Sequence, residues 1–463
     1  MTYKSLLSYG SKVAQVESVY YSPVAVVPPL TSIPLSALYC VLAKNDPWTD
    51  ENDPPVPTQD QQYLKQFYKK IFAAKYISSS NISPVIERID WTSGFTYDFY
   101  RDDIDMFAVD SNGFLLLNFY VKNKYDQVFK CLWNNSTLVN GSYVGSPSTV
   151  EPYFQPGSYN TNNIFQNTDG YKWKYIFTVD IGSKVKFMDS AWIPVPVGQN
   201  TPNPLATVAG VGNIDVINVV QGGSGYDAAN AVVTVTVTGD GTGALGTAEV
   251  VNGSVTDVIV TNTGSNYTYA SVSITSTLGA NAIAIAPTSP VSGHGYDPVS
   301  ELGCSRVMLV TEFTGSESGL IPTNITYHQV GLLVNPTSIS TSPNPANSAV
   351  YKTTTDFVVS PGFGVFASDE ILFQGASLAT ATFTATVLSF DTSTNVVKLI
   401  NTTGTPITNA PVFGNISNTT RTLLSVSTPD FITSSGYLAI IENRTGIQRS
   451  ADGIEQFKFV LGF

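Results

Sequence analysis

The sequence predicts a multidomain protein dominated by β-structure. Only 13% of its 463 residues are charged although 43% are hydrophobic, so Ser, Thr, Asn, Gly and Tyr must cover much of the surface. Rigid β-rich extracellular or virion proteins have this kind of composition. Apolar and polar residues alternate along many stretches, which indicates strands with one buried face. A chain of this length predicts about three domains and can bury a sizeable core.

Composition also argues against two classes of partner. The net charge is −12 and no run of Lys or Arg occurs, the densest basic patch being four lysines between residues 65 and 75. A nucleic-acid-binding face needs basic side chains to neutralise phosphates, and an anionic membrane surface attracts the same residues. We therefore expect neither nucleic acid nor membrane insertion. No secretory signal is visible, and no apolar run reaches the ~20 residues of a membrane span.

Three cysteines, Cys40, Cys131 and Cys304, are spread widely over the chain. An odd and sparse count argues against a disulfide framework, and no Cys or His spacing predicts a zinc site. We expect buried free thiols, which agrees with folding in a reducing cytoplasm.

The first 80 residues contain the clearest predicted helix. Residues 1–20 predict a weak helix, and residues 22–43 predict extended segments at a sheet edge because prolines interrupt them. Residues 44–58 predict a loop. Residues 58–77 then place apolar side chains at helical spacing on one face, and Thr58 with Gln61 matches a capping box.

The middle of the chain predicts strands joined by long polar loops. Before residue 200 the predicted strands are 85–91, 105–109, 114–120, 127–133, 171–179 and 191–197. Loops as long as residues 134–168 are usually functional or interfacial, so we expect contact with neighbouring proteins there. After residue 296 the predicted strands are 306–312, 324–334 and 349–358.

Residues 205–292 contain an internal repeat of about 40 residues. A Gly-Tyr turn at residues 222–226, an alternating Val/Thr strand and a Gly turn at 241–244 are echoed at 263–267 and 278–280. We interpret this stretch as a small all-β inserted module. Residues 361–430 contain further short strands separated by Asn, Gly and Thr turns, which predict a second module, a small barrel or sandwich.

The last 28 residues, 436–463, predict strand, loop and strand. Phe457, Phe459, Leu461 and Phe463 lie on one predicted face, so the chain end is expected to close a core.

No motif in the chain predicts a catalytic, cofactor or metal site. His294 lies in a predicted turn and His328 in a predicted strand, without a nucleophile motif for either. Residues 241–246 match GxGxxG, but a strand and turn follow instead of the helix that a dinucleotide site needs. The acidic clusters at Asp102, Asp103 and Asp105 and at Asp50, Glu51 and Asp53 are interpreted as solvated loop acids.

Six short segments carry a resemblance to a known family. In chain order they are KNDPW (44–48), ERIDW (87–91), FKCLW (129–133), DGYKWKYIF (169–177), WIPVP (192–196), and IIENR (440–444) followed by an apolar strand that runs to Phe463. Together they resemble the baseplate wedge subunit of T4-like contractile-tailed phages, the gene product 8 family. The resemblance covers residues 35–200 and 431–463, and more thinly 294–360.

The resemblance implies a layered β-sandwich core with one or two helices in loops. The core would comprise residues 1–204, 293–360 and 431–463, interrupted by the modules 205–292 and 361–430. The family implies a structural, non-enzymatic subunit that forms a homodimer and links other baseplate wedge subunits during assembly and rearrangement. The protein would then lie in the virion tail baseplate after synthesis in the host bacterial cytoplasm.

Two other function classes remain open at this point. One is a tail-tip or fibre protein whose Gly-Tyr repeats contact host surface glycans. The other is a cell-wall glycosidase, which would need a pair of carboxylates across a cleft. The scarcity of charged residues argues against the glycosidase.

Overall fold

The computed structural model describes residues 37–155, 164–197, 212–290, 293–340, 346–347 and 351–463, together with Val16. The protein is mainly β, with few helices and several sheets that include a small closed barrel, which confirms the predicted fold class. The weak helix expected in residues 1–20 lies almost wholly outside the described residues. Cys40, Cys131 and Cys304 are buried thiols, as predicted.

The described helices are short. They are α1 (Gln61–Lys70), α2 (Ile181–Phe187) and α3 (Pro298–Glu301), with 3-10 turns at Ser79–Asn81 and Leu378–Thr380. Strands of the first part are β1 (Leu38–Ala43), β2 (Ile71–Tyr76), β3 (Ile82–Glu87), β4 (Tyr120–Lys122), β5 (Gln127–Asn134), β6 (Thr137–Val139), β7 (Ser142–Val144), β8 (Ile164–Gln166), β9 (Tyr171–Thr178) and β10 (Trp192–Pro194). The repeat region contains β11 (Asn218–Ser224), β12 (Thr234–Gly239), β13 (Thr242–Val251), β14 (Ser254–Ser265), β15 (Ala270–Thr275) and β16 (Ala280–Ile285). The remainder contains β17 (Arg306–Thr314), β18 (Ile325–Val334), β19 (Thr355–Val359), β20 (Ile371–Gln374), β21 (Phe383–Asp391), β22 (Val396–Gly404), β23 (Pro411–Gly414), β24 (Thr420–Ser427), β25 (Tyr437–Arg449) and β26 (Ile454–Gly462).

The described residues fall into two compact units. The first contains Ser83–Met308 and Leu461–Phe463, and the second contains residues 37–82 and Leu309–Val460. The repeat region therefore belongs to the first unit and the barrel to the second. The finer division into five segments remains a prediction.

In the second unit, β2, β1, β18 and β25 form a four-stranded sheet in that order. β1 pairs with both β2 and β18 and all its side chains except Leu38 are buried. The edge position predicted for residues 22–43 is therefore wrong for the described part, because the prolines precede β1 and leave its amides free to pair on both sides. Residues 22–36 lie outside the described residues.

The predicted helix 58–77 is wrong in its second half. The helix ends at Lys70, and Ile71–Tyr76 forms β2. The first four residues of β2 are buried because both faces of this strand are covered. A continuous apolar run is compatible with a buried strand as well as with a helix, so the pattern alone did not separate the two. The capping box is also wrong: Asp60 is the N-cap and accepts a hydrogen bond from the Tyr63 amide at 2.8 Å.

In the first unit, β4, β5, β9 and β8 form a sheet with two different faces. One face is aromatic, and the opposite face carries lysines, for example Lys130 opposite Lys174. The strands predicted at 105–109 and 114–120 are wrong except at Tyr120, because the Asp110 carboxylate accepts the amides of Asn112 and Phe114 and folds this stretch into a turn. The strand predicted at 191–197 shortens to β10.

The repeat region pairs its strands as β11 with β16, β12 with β15 and β13 with β14. Residues 212–226 and 253–267 have the same length, and each begins with Gly and ends with Tyr. The Tyr226 amide donates to the carbonyl oxygen of Gly253, and the Tyr267 amide donates to that of Gly212, both at 3.0 Å. The first half of the repeat thus binds the second through a reciprocal pair of contacts.

The two repeat tyrosines extend this symmetry into the core. Tyr226 and Tyr267 are 3% and 5% exposed. The Tyr226 hydroxyl accepts the Ala282 amide at 3.3 Å, and the Tyr267 hydroxyl accepts the Ala244 amide at 3.2 Å. Each half therefore supplies a tyrosine that is buried against the other half, as expected when neither half can bury its own apolar face.

The second module is a closed barrel with the strand order β19, β22, β21, β20, β23, β24. It spans residues 355–427, where the sequence predicted a small barrel or sandwich over 361–430. Its interior is filled by eleven buried hydrophobic side chains, among them Phe357, Phe383 and Leu399. Closure leaves no unpaired edge in this sheet.

The C-terminal strand–loop–strand prediction needs one correction. The polar stretch 443–453 predicts the loop between the two strands, but β25 continues through residues 443–449 and pairs there with β18 as far as Ile325↔Arg449. Phe457 and Phe459 are buried as predicted, whereas Leu461 and Phe463 are half-buried.

Candidate functional site

The segments on which the predicted family resemblance rests fall into two groups, one in each unit. In the second unit, the Trp48 indole nitrogen donates to the Arg444 carbonyl oxygen at 2.7 Å, across 396 residues of sequence. The Glu51 carboxylate accepts the Trp48 and Gly446 amides, each at 2.8 Å. The KNDPW loop is thereby fixed to the IIENR strand.

The four other segments meet in the first unit. A single hydrophobic cluster includes the following of their side chains: Ile89, Trp91, Phe129, Cys131, Trp133, Tyr171, Trp173 and Tyr175. β10 pairs its Trp192 and Ile193 with Glu87 and Ile86 of β3. Two of the six segments thus contact each other in the second unit, and the other four contact each other in the first unit.

A cluster of buried ionisable side chains also lies in the first unit, at Lys130, His294 and Glu301. Their side chains are at most 3% exposed. One carboxylate oxygen of Glu301 lies 3.2 Å from the Lys130 Nζ and 2.8 Å from the His294 Nδ1. The other accepts the Gly295 amide. The Lys130 ammonium lies 3.9 Å from the centre of the Tyr100 ring, within the range of a cation–π contact.

Electrostatics fixes the protonation of this cluster. Burial alone would raise the pKa of Glu301, but the charge of Lys130 and hydrogen bonds from His294 and Gly295 outweigh it and lower the pKa to about 2. Burial and the charge of Lys130 lower the pKa of His294, so the imidazole is neutral. Since ionised Glu301 can only accept, Nδ1 carries the proton and donates to it.

A cleft of about 550 Å³ borders this cluster. Its lining includes the side chains Tyr100, Asp102, Lys130, Asp297, Ser300 and Glu301. A neutral imidazole oriented by a carboxylate is the arrangement a general base needs. Within the described residues, however, the hydrogen bonds of His294 lead to this charge cluster and to no Ser, Thr or Cys hydroxyl or thiol. The arrangement ties the 293–301 segment to β5.

The other histidine and the loop acids that the sequence analysis considered, without assigning them a site, also make structural contacts. His328 lies in β18, where its Nε2 is 3.1 Å from Glu51 and its ring packs edge-on against Trp48. Asp102 accepts the amide and hydroxyl of Thr288, each at 2.8 Å. Asp103 pairs with Arg101. These acids fix loops, and no group of three or more His, Cys, Asp or Glu that could hold a metal occurs among the described residues.

The GxGxxG match at 241–246 runs into strand β13, as its sequence context indicated. A Cβ on Gly241 would lie 2.6 Å from the Tyr267 backbone nitrogen, so this glycine is required by the close approach of the tyrosine. The glycine at position 241 is explained by packing, and the segment lacks the helix that follows the glycines in a dinucleotide site.

Sequence reasoning missed Lys130 and Glu301 as partners. A lysine inside the apolar strand QVFKCLW was a usable signal, because a buried ammonium requires a compensating charge. The identity of that partner, 171 residues away, could not be read from the pattern.

No protein-family model matches the chain, and no curated protein matches it. Within the described residues, no helix is long and apolar enough to cross a membrane.

Proposed function

We propose that this protein is a structural subunit of the baseplate wedge of a contractile-tailed bacteriophage. It would link neighbouring wedge proteins during baseplate assembly and rearrangement, as a homodimer located in the virion tail. It would carry no catalytic, cofactor or metal site.

One observation supports the proposal most. The segments that resemble the wedge family contact each other within each unit, as Trp48 contacts Arg444 across 396 residues of sequence. The buried cluster at Glu301 fits the same interpretation, because its donors hold neighbouring segments together.

The burial of the repeat tyrosines argues against the alternative function, a fibre protein that binds glycans. Its glycan contacts were assigned to the Gly-Tyr repeats, but the rings of Tyr226 and Tyr267 are buried and cannot stack on a sugar. Tyr269, which is 61% exposed, is the remaining aromatic of the repeat that a glycan could reach.

Sedimentation velocity on the purified full-length chain separates the two candidates. The wedge proposal predicts a dimer of 49.6 kDa subunits. A stable trimer would contradict it and favour the fibre, for which a glycan-binding screen with Tyr269→Ser as the variant is the next experiment.

A further inference from the structure

The cleft of about 550 Å³ in the first unit has the composition of a site for a small polar ligand. Its lining comes from residues 100–107, from Lys130 of β5 and from residues 288–301. Sites for small ligands have volumes of roughly 300–1,000 Å³ and combine aromatic and apolar walls with a few convergent polar groups. A groove of about 600 Å³ between residues 57–64 and β25 in the second unit is, by contrast, lined by no ionisable side chain of the described residues.

Two deeply buried groups of opposite charge line the cleft. The side chains of Lys130 and Glu301 are 1% and 3% exposed, and their charges compensate each other at 3.2 Å. An ammonium group has three N–H donors. One of them faces Glu301, the Tyr100 ring centre lies 3.9 Å away, and the His294 Nδ1 at 3.3 Å carries its own proton and cannot accept. Lys130 therefore retains a donor for a ligand in the cleft.

Two carboxylates of the 100–107 segment supply acceptors. Asp102 binds the amide and hydroxyl of Thr288 through its Oδ2, and Asp105 binds the Phe107 amide through its Oδ1 at 3.0 Å. Within the described residues neither carboxylate has a cationic partner, and neither uses its other oxygen in a hydrogen bond. The Asp102 Oδ1 and the Asp105 Oδ2 can thus accept hydrogen bonds from a ligand.

The same cleft also has aromatic and hydroxyl groups. Phe107 and Tyr296 are half-buried and line it, as does the exposed Ser300. Asp297, which accepts the Val299 amide at 3.1 Å, adds a further carboxylate from the 288–301 segment. Donors, acceptors and ring surfaces therefore converge on one volume.

A neutral sugar matches this set of groups. Its hydroxyls donate to carboxylate oxygens and accept from an ammonium, while its C–H faces pack against aromatic rings. The carboxylates repel a phosphate or a carboxylic acid, and the charges of Lys130 and Arg101 disfavour an organic cation. We propose that the cleft binds a neutral pyranose sugar of one or two rings. This inference goes beyond the wedge proposal and is independent of it, since it rests on the cleft alone.

Ligand-detected NMR on the purified full-length chain tests the proposal. The probes are the methyl glycosides of glucose, galactose, mannose and N-acetylglucosamine at millimolar concentrations. We expect saturation transfer to at least one of them. Asp105→Asn keeps one oxygen for the Phe107 amide but replaces the other with a donor, and it should weaken binding about tenfold or more. Asp53→Asn, at an exposed acid of the second unit, is the matched control and should bind as the wild type does.

Hydrogen exchange of the wild type with and without the sugar locates the site independently. Added protection in residues 100–107 and 288–301 supports the proposal. Added protection around Tyr269 instead, or equal affinity of Asp105→Asn and the wild type, overturns it. Binding of none of the four sugars also overturns it, as does a preference for spermidine, which would assign the cleft to a cation. If Asp105→Asn lowers the thermal midpoint, the exchange pattern of the wild type decides between these outcomes.

Discussion

The repeat region and the barrel are both small β modules, but they are stabilised in different ways. The barrel closes its sheet and fills the interior with large side chains such as Phe357, Phe366 and Phe383. The repeat region has three two-stranded sheets, and its core consists mostly of Val, Ala and Ile around Tyr226 and Tyr267. Two-stranded sheets are marginal alone. The repeat region therefore depends on the reciprocal insertion of two tyrosines, whereas the barrel spreads its stability over many contacts.

The modules also use buried charge differently. Lys172, on β9, pairs with Asp257 of the repeat region at 2.7 Å and donates to the Ile217 carbonyl oxygen at 3.0 Å, which fixes the repeat region to the sheet of the first unit. In the barrel, Glu370 and Arg421 bind backbone groups of loops. Charge thus attaches one module to its neighbour and shapes the surface of the other.

The largest loss of stability is expected for substitutions that disturb the packing of Tyr226 and Tyr267 against the opposite halves of the repeat. Gly241→Ala places a Cβ 2.6 Å from the Tyr267 nitrogen, and Gly279→Ala places one 2.7 Å from the Tyr226 Cα. Each should cost about 3 kcal/mol or more, because backbone on both sides must shift. Hydrogen exchange should show loss of protection across 212–290 in both variants and leave the barrel unchanged.

Gly462→Ala is the control, since a Cβ there meets nothing within 4 Å. If Gly241→Ala and Gly279→Ala differed strongly from each other, the equivalence of the two halves would be contradicted.

The next effect concerns the buried cluster of the first unit. Glu301→Gln leaves Lys130 without its counter-charge, which should lower the free energy of unfolding by about 3 kcal/mol at neutral pH. The Glu301 pKa of about 2 lies below the unfolded value of ~4.3. Its contribution is therefore complete above that unfolded value and is lost as the pH falls toward 2.

Chemical denaturation between pH 7 and pH 2 measures the contribution of ionised Glu301 to the free energy of unfolding. The wild type should lose stability on acidification more steeply than Glu301→Gln, and the exposed Glu249→Gln should follow the wild type. Parallel curves for the wild type and Glu301→Gln would rule out the charge pair as the cause.

A smaller effect is expected in the barrel. Glu370→Gln replaces one of two accepting carboxylate oxygens with an NH2 group that only donates. Either the Ile416 and Ser417 amides or the Ala367 amide then loses its acceptor, at a cost of about 2 kcal/mol. The loss of protection should stay within the loops at 360–370 and 414–419. Loss of protection across all six barrel strands would contradict the view that the barrel core is independent of its loop contacts.

The smallest loss of stability is expected when the hydroxyl groups of the two repeat tyrosines are removed, and it tests whether the two halves of the repeat are equivalent. Tyr226→Phe and Tyr267→Phe each remove the acceptor of one amide, Ala282 or Ala244, and should cost about 1 kcal/mol each. The two values should agree within error. Tyr269→Phe, at an exposed position, is the control and should leave the thermal midpoint unchanged.

Sequence patterns predicted the elements whose signal is local. β5 and β9 were recognised because apolar side chains alternate or run continuously along them, and the Gly-Tyr echo revealed the repeat. The helix 58–77 was extended too far because Ile71 and Phe72 fit both helical spacing and a buried strand. Tertiary pairing with β1 decided between the two.

The site depended on contacts that no local pattern contains. Glu301 and Lys130, or Trp48 and Arg444, meet only after the chain has folded. The loop before β20 likewise contacts Arg421, which lies 57 residues further along the chain than Gly364. The residue types predicted which side chains would be buried or exposed. Their contact partners became known only from the folded structure.

The most direct test of the account is the position of this protein in the virus that encodes it. Antibodies against the purified chain, applied to negatively stained virions with gold labels, measure that position. The account predicts gold at the plate at the end of the contractile tail, with none on the fibres. Gold along fibres, or no label on intact or contracted particles, would contradict the wedge-subunit proposal.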